Sequence, residues 1–139
     1  MSENHSAEAL VLTCIDFRFH EQIVKLLHER GINSFDLKCD AGAVKYLVSD
    51  EKPAVRDWIL ENIEIAKRLH HISQVVLINH YDCGAYGGNS AFESDEAQLV
   101  FHREQLAAAR TKILVAYPDL AVKTFFAKPV EGKLDLISA

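Results

Sequence analysis

Short apolar runs alternate along this chain with longer stretches in which apolar residues recur every three or four positions. Ala9–Thr13 (ALVLT) predicts a buried strand. Phe19, Ile23, Leu26 and Leu27 then follow helical spacing, and Gly31 supplies a stop. Ser34–Cys39 (SFDLKC) alternates as a strand does, and Asp40–Ala43 (DAGA) reads as a turn or the start of a helix. Ser49 and Asp50 are candidate caps for a helix with Pro53 in its first turn. Val55, Trp58, Ile59, Ile63 and Ala66 mark the expected buried face of that helix. Gln74–Asn79 (QVVLIN) is the strongest buried strand and runs into a glycine-rich loop, His80–Gly88 (HYDCGAYGG). A long helix is expected from about Ser94 or Asp95 to Tyr117, closed by Pro118, before strands at Ala121–Ala127 and Lys133–Ile137.

Strands alternating with helices predict an α/β protein of three layers, a parallel sheet flanked by helices on both faces. No repeat or linker divides residues 1–139, so one domain is expected, with residues 1–8 as a polar N-terminal tail. In the long helix, Leu99, Leu106 and Ile113 form a stripe into which Arg103 and Arg110 fall, at about 100° per residue. Two readings stand for these arginines: long side chains snorkelling at the core edge, or a contact with carboxylates of another subunit.

Composition narrows the function classes. The 139 residues are 49% hydrophobic and 25% charged, an ordinary globular balance. A net charge of −5 and the lack of a basic run argue against nucleic acid as a partner. No segment approaches the roughly 18 consecutive apolar residues of a membrane span. The first eight residues, MSENHSAE, carry no apolar signal core, so a cytoplasmic location is expected. Cys14, Cys39 and Cys83 are too few, and odd in number, for a disulfide framework; they are core thiols, nucleophiles or metal ligands. Most of the seven histidines are read as surface residues, among them His5 in the tail and His28 near a helix end.

Candidate chemistry gathers at two strand ends. LTCIDFR ends the first strand and places Cys14, Asp16 and Arg18 at every second position; INHYDCG ends the third and adds His80 and Cys83. In open α/β sheets the carboxyl ends of strands are where ligands bind. Two thiolates and an imidazole suit tetrahedral zinc with one position free. A phosphatase loop would need arginine six positions after a cysteine, where His20 and Asn89 stand instead, and neither C-x-x-C nor a phosphate-binding glycine motif is present. A Cys–His nucleophilic pair stays open, although it leaves the second cysteine and Arg18 without a role.

Cys14-Ile15-Asp16-Phe17-Arg18 and His80-Tyr81-Asp82-Cys83-Gly84 together resemble the C-x-D-x-R and H-x-x-C-G motifs of the β-class carbonic anhydrases. DAGA is similar to that family's asparagine-alanine-glycine turn, with Asp40 in the asparagine place. The resemblance implies one Zn2+ per chain held by Cys14, His80 and Cys83, with Asp16 and Arg18 as a catalytic carboxylate–guanidinium dyad. It implies reversible hydration of carbon dioxide to bicarbonate by a zinc-bound hydroxide, in a homodimer or higher homo-oligomer. Phe17, Gly42 and Gly84 would border the substrate, and His20 is the nearest candidate proton shuttle by sequence.

Two departures change the expectation. Phe17 stands where the family usually has serine or alanine, and Cys39 replaces the arginine that usually precedes the turn, so no bicarbonate-sensing pocket is expected. An apolar mouth built from Phe17, Tyr81 and Tyr86 would suit an alternative, a zinc hydrolase of carbonyl sulfide or carbon disulfide. A zinc-binding regulatory or structural homologue without turnover is the third reading; retention of Asp16 and Arg18 speaks against it.

Overall fold

Strands β1 (Ala9–Thr13), β2 (Phe35–Cys39), β3 (Gln74–His80), β4 (Ala121–Val130) and β5 (Lys133–Ser138) form one sheet in the order β2-β1-β3-β4-β5. The structure, a computed structural model, describes residues 5–139, and residues 1–4 of the expected polar tail lie outside the described residues. β1 is buried along its whole length and β3 from Val75 onward, which accounts for the apolar runs of residues 9–12 and 75–78. β2 lies at an edge, is only half-buried, and mixes charge with apolar residues.

β1 pairs in parallel with β2 and β3, and β3 with β4. β5, expected to join a parallel sheet, runs antiparallel to β4 instead. The cause is the two-residue turn Glu131–Gly132, whose φ values of 51° and 81° are both left-handed, the conformation that closes a tight hairpin.

Alternation along the strands divides the core between two faces. Ala9 and Val11 face helix α1 (His20–Glu29) and pack with its Ile23 and Leu27. Leu10 and Leu12 face the other side, with Val44 and Leu47 beside and on the short helix α2 (Lys45–Val48), Ile59, Ile63 and Ala66 of α3 (Pro53–His70), and Leu106, Ala109 and Ile113 of α4 (Asp95–Ala116). The layers are therefore one helix, a mostly parallel sheet, and three helices.

Local sequence accounts for most helix limits. The Ser94 hydroxyl accepts the Ala97 amide at 3.0 Å and Asp95 and Glu96 fill the first turn of α4, so both capping and dipole favour this start. Ser49 and Asp50 do not cap α3. Lys52 is its N-cap, Pro53 opens the helix, and Ser49 instead ends α2 and accepts the Glu51 amide. Trp58, expected inside, is 52% exposed, because the apolar arc of α3 centres on Ile59 and Ile63.

The stripe on α4 is also rephased. Its buried face is Gln98, His102, Leu106, Ala109 and Ile113; Leu99 is half-buried, and Arg103 and Arg110 are exposed. Arg110 Nε donates to the Val122 carbonyl at 3.3 Å, a bond within the chain that supports the snorkelling reading for this arginine. No helix among the described residues is long and apolar enough to cross a membrane.

Candidate metal centre

The register Leu12↔Leu77 brings the ends of β1 and β3 side by side, and Cys14 continues β1 just as the loop after His80 carries Cys83 back toward it. Cys14, His80 and Cys83 are all buried, and their ligand atoms lie within 4.8 Å of one another. They are the one group of three or more such residues among the described residues that is arranged for a metal ion. Cys39, at the end of edge strand β2, stays outside the cluster, and burial raises its thiol pKa.

The donor set fits zinc on three counts. The Cys14 and Cys83 sulfurs are 3.8 Å apart, far beyond a disulfide and close to the roughly 3.8 Å between two thiolates on a tetrahedral zinc. His80 Nδ1 lies 2.8 Å from the Tyr81 carbonyl, which can only accept, so Nδ1 carries a proton and the neutral ring has its lone pair at Nε2. That Nε2 is buried without any hydrogen-bond partner in the protein. A buried nitrogen lone pair aimed at two thiols is what a cation would satisfy. The hydrogen bond between the two sulfurs favours the thiolate of Cys14 and holds the proton on Cys83.

Asp16 and Arg18 meet, though through a turn in which the Phe19 amide bonds the Asp16 carbonyl rather than through an extended alternation, and the arginine holds the carboxylate through three N–H groups. Its backbone N–H and Nε each donate to Asp16 Oδ1 at 3.0 Å, and Nη2 donates to Oδ2 at 2.6 Å. These hydrogen bonds lower the Asp16 carboxyl pKa to about 2. Asp16 Oδ2 also lies 3.8 Å from His80 Nε2, which puts the carboxylate at the open side of the donor set.

The sequence reading missed a second anchor for this arginine. Arg18 Nη1 donates to Asp82 Oδ2 at 3.1 Å and Nη2 to the Asp82 carbonyl at 3.0 Å. Asp82 sits at a left-handed φ of 60°. Gln98, buried on α4, accepts the Asp82 amide at 2.8 Å and donates to Asn89 Oδ1 at 2.9 Å, while the Asn89 amide donates to Asp82 Oδ1 at 2.7 Å. That Asn89 bond, then Arg18, lowers the Asp82 carboxyl pKa. A glutamine one helical turn before His102 on the buried face of α4 was the available signal.

Behind Cys14, the turn Asp40–Ala43 is fixed by a second network. The Gly42 amide donates to Cys14 Sγ at 3.4 Å, and the Tyr86 hydroxyl donates to the Gly42 carbonyl at 2.9 Å. Asn79 Nδ2 reaches Tyr86 Oη at 3.3 Å and His102 Nδ1 at 2.9 Å. Burial lowers the His102 pKa to about 4, so this ring is neutral near pH 7. Gly42 has φ of 77°, and a Cβ there would stand 2.9 Å from Lys45 Cβ and 3.0 Å from Ala85 Cβ, so only glycine fits.

An open pocket of about 440 Å3 leads to Cys14 and Cys83, with Ile15, Phe17, Ala41 and Ala85 among its lining. Phe17 is 87% exposed and stands at the mouth. Gly84 lines the pocket, whereas Gly42 lies behind it against Cys14. Tyr81 and Tyr86 do not line the mouth: one bonds Asp95 and the other holds the Gly42 turn. His20 opens α1, with Nε2 3.2 Å from the Cys14 carbonyl.

Fold and donor set together define a β-carbonic anhydrase-like protein. The chain belongs to the family described as "Putative carbonic anhydrase", whose model matches residues 4–135. It is 33% identical over 125 residues to an uncharacterized protein of Rickettsia conorii, covering 87% of this chain and 67% of that one. An uncharacterized protein of Rickettsia bellii is 34% identical over 125 residues, covering 87% and 76%. Among solved structures, one of two tetrameric β-carbonic anhydrases from the ascomycete Sordaria macrospora superposes with a TM-score of 0.61 at 15% identity, over 96% of this chain and 82% of that one. At that identity the likeness establishes the fold.

Proposed function

We propose that this protein is a zinc-dependent lyase that reversibly hydrates carbon dioxide to bicarbonate. The observation that carries the reading is the unpartnered lone pair of buried His80 Nε2, converging on two sulfurs 3.8 Å apart, with the Asp16–Arg18 pair at its open side. Cys14, His80 and Cys83 would hold the ion, which supplies Lewis-acid activation of water at near-neutral pH.

Asp16, kept ionised by Arg18, accepts a hydrogen bond from the attacking water and turns an oxygen lone pair toward the substrate carbon. As the new C–O bond forms, the π pair of one C=O shifts onto its oxygen. One proton leaves for solvent, and the product is bicarbonate. Arg18 maintains the aim of Asp16 because Asp82 prevents the guanidinium from swinging away. Ile15, Phe17, Ala41 and Ala85 give a small apolar molecule an apolar approach. His20 is the candidate proton relay; its ring rests on the Cys14 carbonyl beside the cluster. A homo-oligomer is part of the proposal, since exposed Phe17 and Ile15 would be covered by a second copy and the Sordaria proteins are tetrameric.

Two measurements test the reading. Metal analysis should find about one zinc per chain, with most of it lost in Cys83→Ala. Stopped-flow hydration of carbon dioxide at pH 8–9 should then exceed the buffer rate. Zinc-loaded protein without that rate overturns the proposal; release of sulfide from carbonyl sulfide by the same sample would instead assign the apolar mouth to that substrate.

A further inference from the structure

At the opposite end of the sheet, where β1, β2 and β3 begin, a second set of metal-ligating side chains meets. His70 is the last residue of α3, and Asp36 is the second residue of β2. His70 Nδ1 lies 2.7 and 2.9 Å from the two Asp36 oxygens. An ionised carboxylate can only accept, so Nδ1 carries a proton, and it is the neutral ring that presents a lone pair at Nε2. His5 Nε2 faces that lone pair at 3.0 Å. The approach of His5 is fixed by the backbone, since the Ala7 amide donates to the carbonyl of His70 itself at 2.9 Å.

A simple hydrogen bond between the rings does not describe this geometry well. A straight N–H···N bond of this length would separate the ring centroids by about 5.3 Å, the bond plus two ring radii. The centroids are 4.5 Å apart with the planes tilted by 52°, so at least one ring meets the nitrogen–nitrogen line at a wide angle. Such rings are better placed to direct lone pairs at a third atom. With metal–nitrogen bonds of about 2.0–2.1 Å, nitrogens 3.0 Å apart subtend roughly 95°, near the right angle of adjacent positions in a tetragonal complex. Two further features favour a cation. The C-terminal end of the 18-residue α3 carries the negative pole of its dipole, and Asp36 buttresses His70 as carboxylates commonly buttress metal-bound imidazoles.

We propose that His5 and His70 form a second cation site, for a divalent transition metal that favours tetragonal coordination, such as Ni2+ or Cu2+. His5 and His70 supply the protein ligands among the described residues, Asp36 orients His70, and water fills the remaining positions. A bound ion would tie the segment before β1 to the end of α3. The site is independent of the Cys14–His80–Cys83 cluster and of the activity proposed there.

The test is a Ni2+ titration of the untagged full-length chain, preloaded with one equivalent of Zn2+, followed through the imidazole 1H–15N signals. Paramagnetic broadening should reach the rings of His5 and His70 first, before His80, His102 and the exposed His28 and His71. His5→Ala, in the segment outside the sheet, should weaken Ni2+ binding by roughly tenfold or more, and Asp36→Asn by about tenfold. The same first broadening in Cys14→Ser/Cys83→Ser would show that the thiol cluster takes no part. Broadening confined to His80, broadening spread equally over the exposed histidines, or an unchanged affinity in His5→Ala overturns the proposal.

Discussion

Asp16 illustrates how one residue's charge is set by its neighbour rather than by its burial. The hydrogen bonds from Arg18 lower its pKa to about 2. A carboxyl lowered in this way stabilises the fold above its ordinary pKa of about 3.9, and that contribution is lost as pH falls through the folded value. The affected window is therefore about pH 4 down to about 2. Carbon-detected titration should find Asp16 still ionised at pH 4, with its pKa returning toward the ordinary value in Arg18→Gln. Asp16→Asn should retain the metal and lose roughly a hundredfold or more of hydration rate, measured by stopped flow. Full activity in that variant would remove Asp16 from the chemistry.

At the scale of elements, α4 holds the least expected feature. Its helical limits were legible, because Ser94 and the acids after it write a start and Pro118 a stop. Its buried face was not. A pattern reading ranks leucines above glutamine and histidine, so it chose Leu99 and overlooked Gln98 and His102, which are fully buried, Gln98 bonded to the Asp82 loop and His102 to Asn79 through Nδ1. Gln98→Leu would strip the Asp82 amide of its acceptor. A loss of about 1–3 kcal/mol in urea unfolding is expected, with a fall in activity that Gln98→Glu partly restores. The cluster proposed to hold the metal was legible for a contrasting reason. Cys14, His80 and Cys83 follow buried strands at strand ends, where the alternation fixes direction and the register fixes neighbours. The role of Asp82 was hidden, since nothing in H-x-x-C-G announces a left-handed residue whose partner is Arg18, after the neighbouring strand.

For the whole molecule, the proposed ion would join the ends of two neighbouring strands and bind only the folded arrangement. Stripping it with a chelator should lower the thermal midpoint by roughly 10 °C or more, checked by calorimetry with and without added zinc. The alternating pattern captured the sheet and its covering helices, but strand order and the reversal of β5 depended on turn geometry and long-range pairing that local patterns do not encode. Arg103 and Arg110 test the assembly. With Arg110 bonded to Val122 of its own chain, Arg103→Glu with Arg110→Glu should leave the mass by light scattering unchanged. A smaller mass would move an interface to α4.

The left-handed backbone at Asp82 gives relatives a way to be sorted. Glycine would adopt that φ without the steric penalty, which is about 1 kcal/mol for a residue with a Cβ. Glycine there would ease the backbone but remove the side-chain oxygen that anchors Arg18 Nη1, leaving only the carbonyl to hold the guanidinium. A homologue bearing both cysteines, the histidine and a glycine in this place would be a reasonable first choice when seeking a descendant that binds the ion without turning over substrate.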